Sequence, residues 1–195
     1  GGLIQDVHTG ETLYEEQLSY EDYLDIEYLS RKLLVPMHAI TKTGIYTANR
    51  NIGKYTIHEA KLVQSDLFYR TPEEMEQHTI LKCMYVDEPE RLEELLPAIP
   101  ADFYERFTIV RSAPFYLELL PKTVNKGFAL LQLASKLNLS PDQVMAVGDQ
   151  ENDQAMLEVA GLPVAMENAS PELKHFAKKI TRSNDDSGVA YALRK

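Results

Sequence analysis

Cysteine, tryptophan and long apolar runs are the scarcest features of this 195-residue sequence, which has one cysteine and no tryptophan. With Cys83 alone, neither an internal disulfide nor a cysteine-rich zinc site can form, and we expect a buried thiol in a reducing, cytoplasmic compartment. No apolar run approaches the roughly 20 residues of a membrane-spanning helix. The N-terminus shows neither a basic region nor an apolar signal core. We therefore expect no membrane partner.

Positive charge is also scarce, because 20 lysines and arginines face 30 aspartates and glutamates, giving a formal charge of -10. Nucleic acids and anionic membranes attract proteins with excess positive charge, so we expect no nucleic-acid partner. An anionic small substrate would need a local basic pocket. The hydrophobic share of 44% is enough for a real core in one large or two small domains.

The densest chemistry lies in residues 144–153, where an apolar run ends at a glycine and three acids follow. Val144 to Val147 is predicted to be a strand buried between helix layers of a parallel sheet. Gly148 allows a turn, and Asp149 follows at the carboxyl end of the strand, where open α/β sheets bind ligands. Acidic oxygens there suit Mg²⁺. The alternative is a helix start whose acids, Asp153 among them, only balance the helix dipole.

The order of predicted elements indicates two domains. Residues 19–120 combine strands and helices as an α+β unit, whereas residues 121–195 alternate helix and strand as in a doubly wound parallel domain, and residues 1–18 begin with a strand. Asn125 is predicted to cap a helix that begins at Lys126, which adds an ammonium group to the anion-binding end of a helix. Its predicted buried stripe is Leu130, Leu133, Ala134 and Leu137.

Three further predictions concern local structure. Ile45 to Ala48 and Tyr55 to His58 are predicted to be strands joined by the loop Asn49 to Lys54, which is either a solvated hairpin tip or a segment over a pocket. The helix after Asp153 is predicted to bury Ala155, Met156, Val159 and Ala160. Pro171 to Ile180 is predicted to be one helix.

Several of these segments together resemble a known family. The combination of Lys126, residues 148–153 (Gly-Asp-Gln-Glu-Asn-Asp) and residues 164–169 (Val-Ala-Met-Glu-Asn-Ala) resembles haloacid dehalogenase-like phosphatases of the Cof type. The resemblance implies an α/β fold, with a partial doubly wound, Rossmann-like parallel core and an inserted α+β cap at residues 19–120. It also implies Mg²⁺-dependent hydrolysis of small phosphorylated metabolites such as sugar phosphates.

The resemblance implies a role for each residue that matches the family motifs. Asp149 corresponds to a magnesium ligand, Asn152 to a phosphate contact, Asp153 to a supporting acid near the metal and Lys126 to the phosphate-binding lysine. The family's nucleophile motif, D-x-D-G-T, and its Ser/Thr motif occur nowhere in these 195 residues. We therefore expect these residues alone to be inactive, and to self-associate through the incomplete core.

Two other functional classes stay open at this stage. The first is a non-catalytic remnant that binds a metal ion or a phosphorylated ligand. The second is a P-loop nucleotide enzyme, which the sequence disfavours because Gly53 and Lys54 are followed by Tyr55 where a serine or threonine is needed.

Overall fold

A computed structural model describes residues 2–194, in which the chain forms eleven strands and eight α-helices. The strands are β1 (Leu3–Gln5), β2 (Thr12–Glu15), β3 (Met37–Thr41), β4 (Ile45–Thr47), β5 (Leu67–Tyr69), β6 (Ile80–Val86), β7 (Phe107–Ala113), β8 (Tyr116–Pro121), β9 (Met145–Gly148), β10 (Leu162–Ala165) and β11 (Lys179–Ile180). The helices are α1 (Tyr20–Leu33), α2 (Lys54–Leu62), α3 (Pro89–Leu95), α4 (Ala101–Arg106), α5 (Lys126–Lys136), α6 (Gln154–Val159), α7 (Pro171–Lys174) and α8 (Gly188–Leu193). Gly1 and Lys195, the two ends of the predicted core segments, lie outside the described residues. None of these helices is long and apolar enough to cross a membrane.

The described residues group into two compact units. Residues 16–123 form one unit, which we call the inserted unit, and residues 3–15 with 124–194 form the other, the discontinuous unit. The corresponding boundaries predicted from the sequence are 18/19 and 120/121. The discontinuous unit contains a parallel sheet, and the inserted unit has an α+β arrangement. Both features agree with the predicted fold class.

The inserted unit is built on a six-stranded sheet in the order β5-β4-β3-β6-β8-β7. Its neighbouring strands are antiparallel except for the parallel pair β4 and β5. The main core joins side chains of α1, α3 and α4 to alternate residues of the central strands, among them Cys83, which is fully buried with a free thiol. The expectation of a buried core cysteine is therefore confirmed.

Helix α1 begins and ends with capping contacts that its sequence encodes. The Ser19 hydroxyl accepts a hydrogen bond from the Asp22 amide at 3.0 Å, which satisfies a free N–H of the first turn. Leu34 ends the helix in the left-handed conformation, with φ of 55°. Tyr23 and Ile26 are buried one turn apart, whereas Tyr28 is 70% exposed and lies outside the core.

The prediction of a hairpin around residues 49–54 is wrong. Tyr55 to His58 lies within helix α2, for which Gly53 is the N-cap residue. β-Branched and aromatic residues favour strands only weakly, so helix-forming residues further along the segment, such as Ala60 and Leu62, decide its structure. Thr56 and Glu59, three residues apart, form the buried face of α2. The loop from Asn49 therefore connects a strand to a helix.

The discontinuous unit contains a three-stranded parallel sheet in the order β11-β10-β9. Its small core is rich in alanine and includes Ala146, Leu157, Ala160, Ala165, Ala169 and Leu173. Strands β1 and β2 form a separate antiparallel ribbon beside α5, where the rings of Tyr14 and Phe128 meet edge to face at 5.7 Å. Within residues 2–194, β9 pairs with β10 on one side only and is an edge strand.

Two other local predictions for this unit need correction. Pro171 to Ile180 is not one helix, because α7 ends at Lys174 and β11 then pairs in parallel with Val164 and Ala165 of β10. Backbone pairing to a buried strand here outweighs the helical preference of the segment. Of the stripe predicted for α5 only Ala134 is buried, since Leu130 and Leu133 are partly buried and Leu137 is 56% exposed. Of the residues predicted to be buried after Asp153 only Ala160 is buried, and the buried residue of α6 is Leu157.

Leu157→Ala should destabilise the discontinuous unit by about 2–5 kcal/mol, because it leaves a cavity beside Leu173 and Ala146. Leu137→Ala removes the same atoms from an exposed position and should change stability by no more than about 0.5 kcal/mol. Urea unfolding followed by far-ultraviolet circular dichroism measures both. Equal losses in the two variants would contradict this packing.

Candidate active site

The candidate site is built on the turn that follows β9. Gly148 ends the strand, Asp149 comes next, and a short 3₁₀ turn at Glu151–Asp153 leads into α6. Only glycine fits at position 148, because a Cβ atom there would lie 2.5 Å from Cβ and 2.9 Å from Oδ2 of Asp153. The glycine thus allows the Asp153 side chain to fold back over the end of the strand.

Asp153 is the most heavily bonded acid of the site, and only 4% of it is exposed. Its Oδ2 atom accepts hydrogen bonds from the backbone amides of Asp149 at 2.8 Å and Gln150 at 3.1 Å, and its Oδ1 atom accepts one from Lys126 Nζ at 2.5 Å. Burial alone would raise the pKa of Asp153, but the Lys126 and backbone hydrogen bonds outweigh it and hold the pKa below its usual range. Asp153 is therefore a permanent carboxylate at neutral pH.

Lys126 reaches the site from the first residue of α5. The Asn125 side chain caps this helix by accepting a hydrogen bond from the Phe128 amide at 2.8 Å, as predicted. Gly127 allows α5 to approach α6, because a Cβ atom at this position would lie 2.2 Å from the Ala155 carbonyl oxygen. The Lys126 side chain is 44% exposed, so its ammonium group contacts Asp153 and still faces solvent.

Asp149 is held from a different direction. Its Oδ2 atom accepts hydrogen bonds from Asn168 Nδ2 at 2.9 Å and from Gln150 Nε2 at 3.5 Å. The Oδ1 atom of Asn168 in turn accepts a hydrogen bond from the Asn184 amide at 3.0 Å, which fixes the orientation of the Asn168 side chain. No role for Asn168 was predicted from the sequence. Its position after β10, in the segment that carries the family resemblance, is the signal that could have indicated one.

The four residues that the sequence analysis selects therefore meet at the end of β9. Lys126 Nζ lies 3.4 Å from Asn152 Oδ1 and 2.5 Å from Asp153 Oδ1, and the backbone amide of Asp149 donates to Asp153. Asp153 bonds to Lys126 and to the backbone of Asp149, and Asn152 joins the group through its contact with Lys126. Their side-chain roles in binding stay predictions.

The donor set suits a hard cation only in part. Within residues 2–194, no group of three histidine, cysteine, aspartate or glutamate side chains could hold a metal ion. Mg²⁺, however, is commonly held by one or two carboxylates, with water and substrate phosphate completing its six oxygen ligands. Asp149, which is half-buried and oriented by Asn168, can supply one such carboxylate. The residues present thus fit one part of a Mg²⁺ site.

Comparisons with known proteins give the family of this chain. Residues 1–193 match the model of the haloacid dehalogenase-like hydrolase family. A Streptococcus pyogenes serotype M6 protein with the name "Putative phosphatase" is 60% identical over 195 residues, and Bacillus subtilis YxeH, with the same description, is 41% identical over 194. These alignments cover 100% and 99% of this chain and 72% of each relative.

A solved structure supports the same assignment. A haloacid dehalogenase-like hydrolase from Bacteroides thetaiotaomicron superposes with a TM-score of 0.87 at 28% identity, over 100% of this chain and 73% of that one. The chain belongs to the haloacid dehalogenase-like hydrolase family, and by resemblance to its relatives it is a phosphatase. The family resemblance found in the sequence is confirmed.

The lowered pKa of Asp153 predicts a pH-dependent contribution to stability. A carboxylate whose pKa is depressed in the folded state stabilises the fold above its unfolded pKa, and this contribution is lost as the pH falls through the folded value. Asp153→Asn should therefore be most destabilising near neutral pH, and its difference from the parent protein should shrink below about pH 4. Urea unfolding at a series of pH values measures that difference.

A second substitution checks the cause of this effect. In a Lys126→Met background the strongest interaction that lowers the Asp153 pKa is gone, so Asp153→Asn should cost less stability at neutral pH. An Asp153→Asn penalty that is independent of both pH and Lys126 would contradict the charge assignment.

Proposed function

We propose that this chain supplies the metal- and phosphate-binding part of a cytoplasmic, Mg²⁺-dependent phosphatase that hydrolyses small phosphorylated metabolites such as sugar phosphates. The observation that carries the proposal is the meeting of Lys126, Asn152 and Asp153 beside Asp149 at the carboxyl end of β9. Relatives described as phosphatases support the reaction class. The single, buried cysteine is consistent with the cytoplasm.

The charges of these side chains support a requirement for a divalent cation. The cluster contains one ammonium group, that of Lys126, and two carboxylates, those of Asp149 and Asp153, so it has one more negative than positive charge. A phosphate monoester dianion would be repelled by such a cluster. A bound Mg²⁺ would reverse the sign of the local charge and neutralise the phosphoryl oxygens as they become more negative.

Each residue then has a distinct task. Lys126, at the start of α5, donates to a phosphate oxygen, while Asp153 holds its ammonium group in position. The Asn152 side chain, 3.4 Å from Lys126 Nζ, orients the same phosphate group. Asp149 provides a carboxylate ligand for the metal ion, with Asn168 fixing its orientation. Asp153 is shielded from water by its own burial in the fold.

Neither acid of this cluster is suited to attack phosphorus. Asp153 is buried and accepts three hydrogen bonds, and one oxygen of Asp149 is already bonded to Asn168. The family's nucleophile belongs to the D-x-D-G-T motif, which these 195 residues do not contain. The chain therefore carries the electrostatic part of the machinery, which stabilises charge, and not the group that forms the covalent intermediate.

Substitution of Lys126 tests the proposal. In a full-length protein that includes this chain, Lys126→Met should lower kcat/KM for a phosphate monoester by about 10- to 150-fold, the equivalent of about 1.5–3 kcal/mol for a charge-assisted hydrogen bond. Lys136→Met removes an exposed lysine from the last residue of the same helix and serves as the matched control. If both variants keep activity within about twofold, Lys126 does not contact the substrate.

The role of Asp149 has its own readout in the same assay. Asp149→Ala should abolish turnover at ordinary Mg²⁺ concentrations and raise the Mg²⁺ concentration required for any remaining activity. Near-normal turnover at saturating Mg²⁺ would remove Asp149 from the metal site. Saturable phosphate binding without turnover by the full-length protein would favour the alternative of a non-catalytic, ligand-binding protein.

The purified 195-residue chain should not hydrolyse a generic phosphate ester in the presence of Mg²⁺. Loss of a nucleophile has cost about 10⁶-fold in another hydrolase, and binding groups alone do not replace it. We also expect this chain to self-associate, because the free edge of β9 can pair with another strand. Turnover comparable to a full-length phosphatase and abolished by Asp149→Ala would overturn the first expectation, and a monomer in sedimentation equilibrium the second.

A further inference from the structure

The inserted unit contains a polar cavity that shares no residue with the Lys126 site. Its volume is about 400 Å³, and we call it the arginine cavity, bounded by Glu27, Arg31, Arg50, Tyr69 and Glu73. A second cavity of about 450 Å³ adjoins it, and Arg31 and Arg50 line both. Such volumes lie in the range of small-molecule sites. Its lining combines two arginines with two glutamates, and one of these glutamates, Glu27, is paired with Arg31.

The guanidinium groups of the arginine cavity have unused hydrogen-bonding capacity. Arg31 donates through Nε to Glu27 Oε1 at 2.9 Å, and in the described part of the chain its two Nη groups have no partner. Arg50 is exposed and has no partner there at all. Arg70, by contrast, donates to the Tyr69 carbonyl and stacks on Phe68, so it is engaged elsewhere. Two guanidinium groups thus remain available to a ligand.

Hydrogen bonds and an ion pair hold the residues that flank the two arginines. Asn49 Oδ1 accepts hydrogen bonds from the Met37 amide at 2.9 Å and from the Thr47 hydroxyl at 3.2 Å. These bonds fix the backbone next to Arg50. Glu27 is buried, with 6% of its side chain exposed, so its ion pair with Arg31 fixes the direction of that guanidinium. A pre-positioned arginine loses less entropy when it binds an anion.

We propose that the arginine cavity binds a small phosphate-bearing molecule. Planar guanidinium groups match the oxygen geometry of phosphate and bind it bidentately, which favours phosphate over a simple halide. The exposed ring of Tyr69 and the carboxylate of Glu73 leave an aromatic surface and a hydrogen-bond acceptor for the organic part of the molecule. None of the residues that line this cavity is among Lys126, Asp149, Asn152 and Asp153 of the proposed catalytic site.

The experiment measures phosphate binding in a background that lacks the other proposed anion contact. In the Lys126→Met chain, titration calorimetry with inorganic phosphate and with a simple sugar phosphate should show saturable binding at millimolar concentrations or below. Arg50→Gln should weaken this binding at least tenfold. Lys32→Gln is the matched control, since it removes one positive charge from an exposed lysine of α1 that lines neither cavity.

A substitution of opposite sign makes the test sharper. Glu73→Gln removes a negative charge from the wall of the arginine cavity and should strengthen the binding of inorganic phosphate, whereas Arg50→Gln weakens it. Amide chemical-shift changes confined to residues near Tyr69 and Glu73 would locate the ligand. Tighter binding of the sugar phosphate would identify an ester as the ligand, and equal binding would identify free phosphate.

Three results would overturn the proposal: no saturable binding of either probe, equal losses in Arg50→Gln and Lys32→Gln, or weaker phosphate binding in Glu73→Gln. Failure of the catalytic proposal would not change the result of this binding experiment, because the experiment uses the Lys126→Met chain. Conversely, a loss of kcat/KM in Lys126→Met with no Arg50-dependent binding would support the catalytic site and remove this one.

Discussion

The three hydrogen bonds accepted by Asp153 are the interactions on which the candidate site depends. They connect the start of α5, through Lys126, to the backbone turn that follows β9. Because the carboxylate is buried, removal of any donor would leave part of a charge without compensation, at a cost larger than the worth of one exposed hydrogen bond. The positions of Lys126 and Asp149 are therefore coupled through one side chain.

Much of this site could be predicted from the sequence because its signals are local. The apolar run before Gly148 marks the strand, the acids after it mark the ligand-binding end, and Asn125 before Lys126 marks a capped helix. The contact between Lys126 and Asp153 spans 27 positions and has no local signal. This contact depends on the packing of α5 against the turn after β9. The family resemblance implied that packing, whereas periodicity alone could not indicate it.

The wrong predictions lie where short segments have ambiguous local preferences. Tyr55 to His58 contains residues that favour strands, but the segment joins α2 through the residues that follow it. Pro171 to Ile180 starts as a helix and ends as β11, because pairing with β10 decides its last residues. Asn168 was missed for another reason: its contact with Asp149 depends on two loops, after β9 and β10, that only the folded sheet brings together.

The spacing from Gly148 to Asp153 can be understood as a single steric and electrostatic unit. The carboxyl group of Asp153 lies where a side chain at position 148 would otherwise be, and from that place it can reach two successive backbone amides. A longer acid would have to place an extra methylene in the same space, and an uncharged residue would leave Lys126 without its buried counter-charge. Glycine, the short acid and the distant lysine therefore depend on one another, although neither the strand nor the helix alone requires any of them.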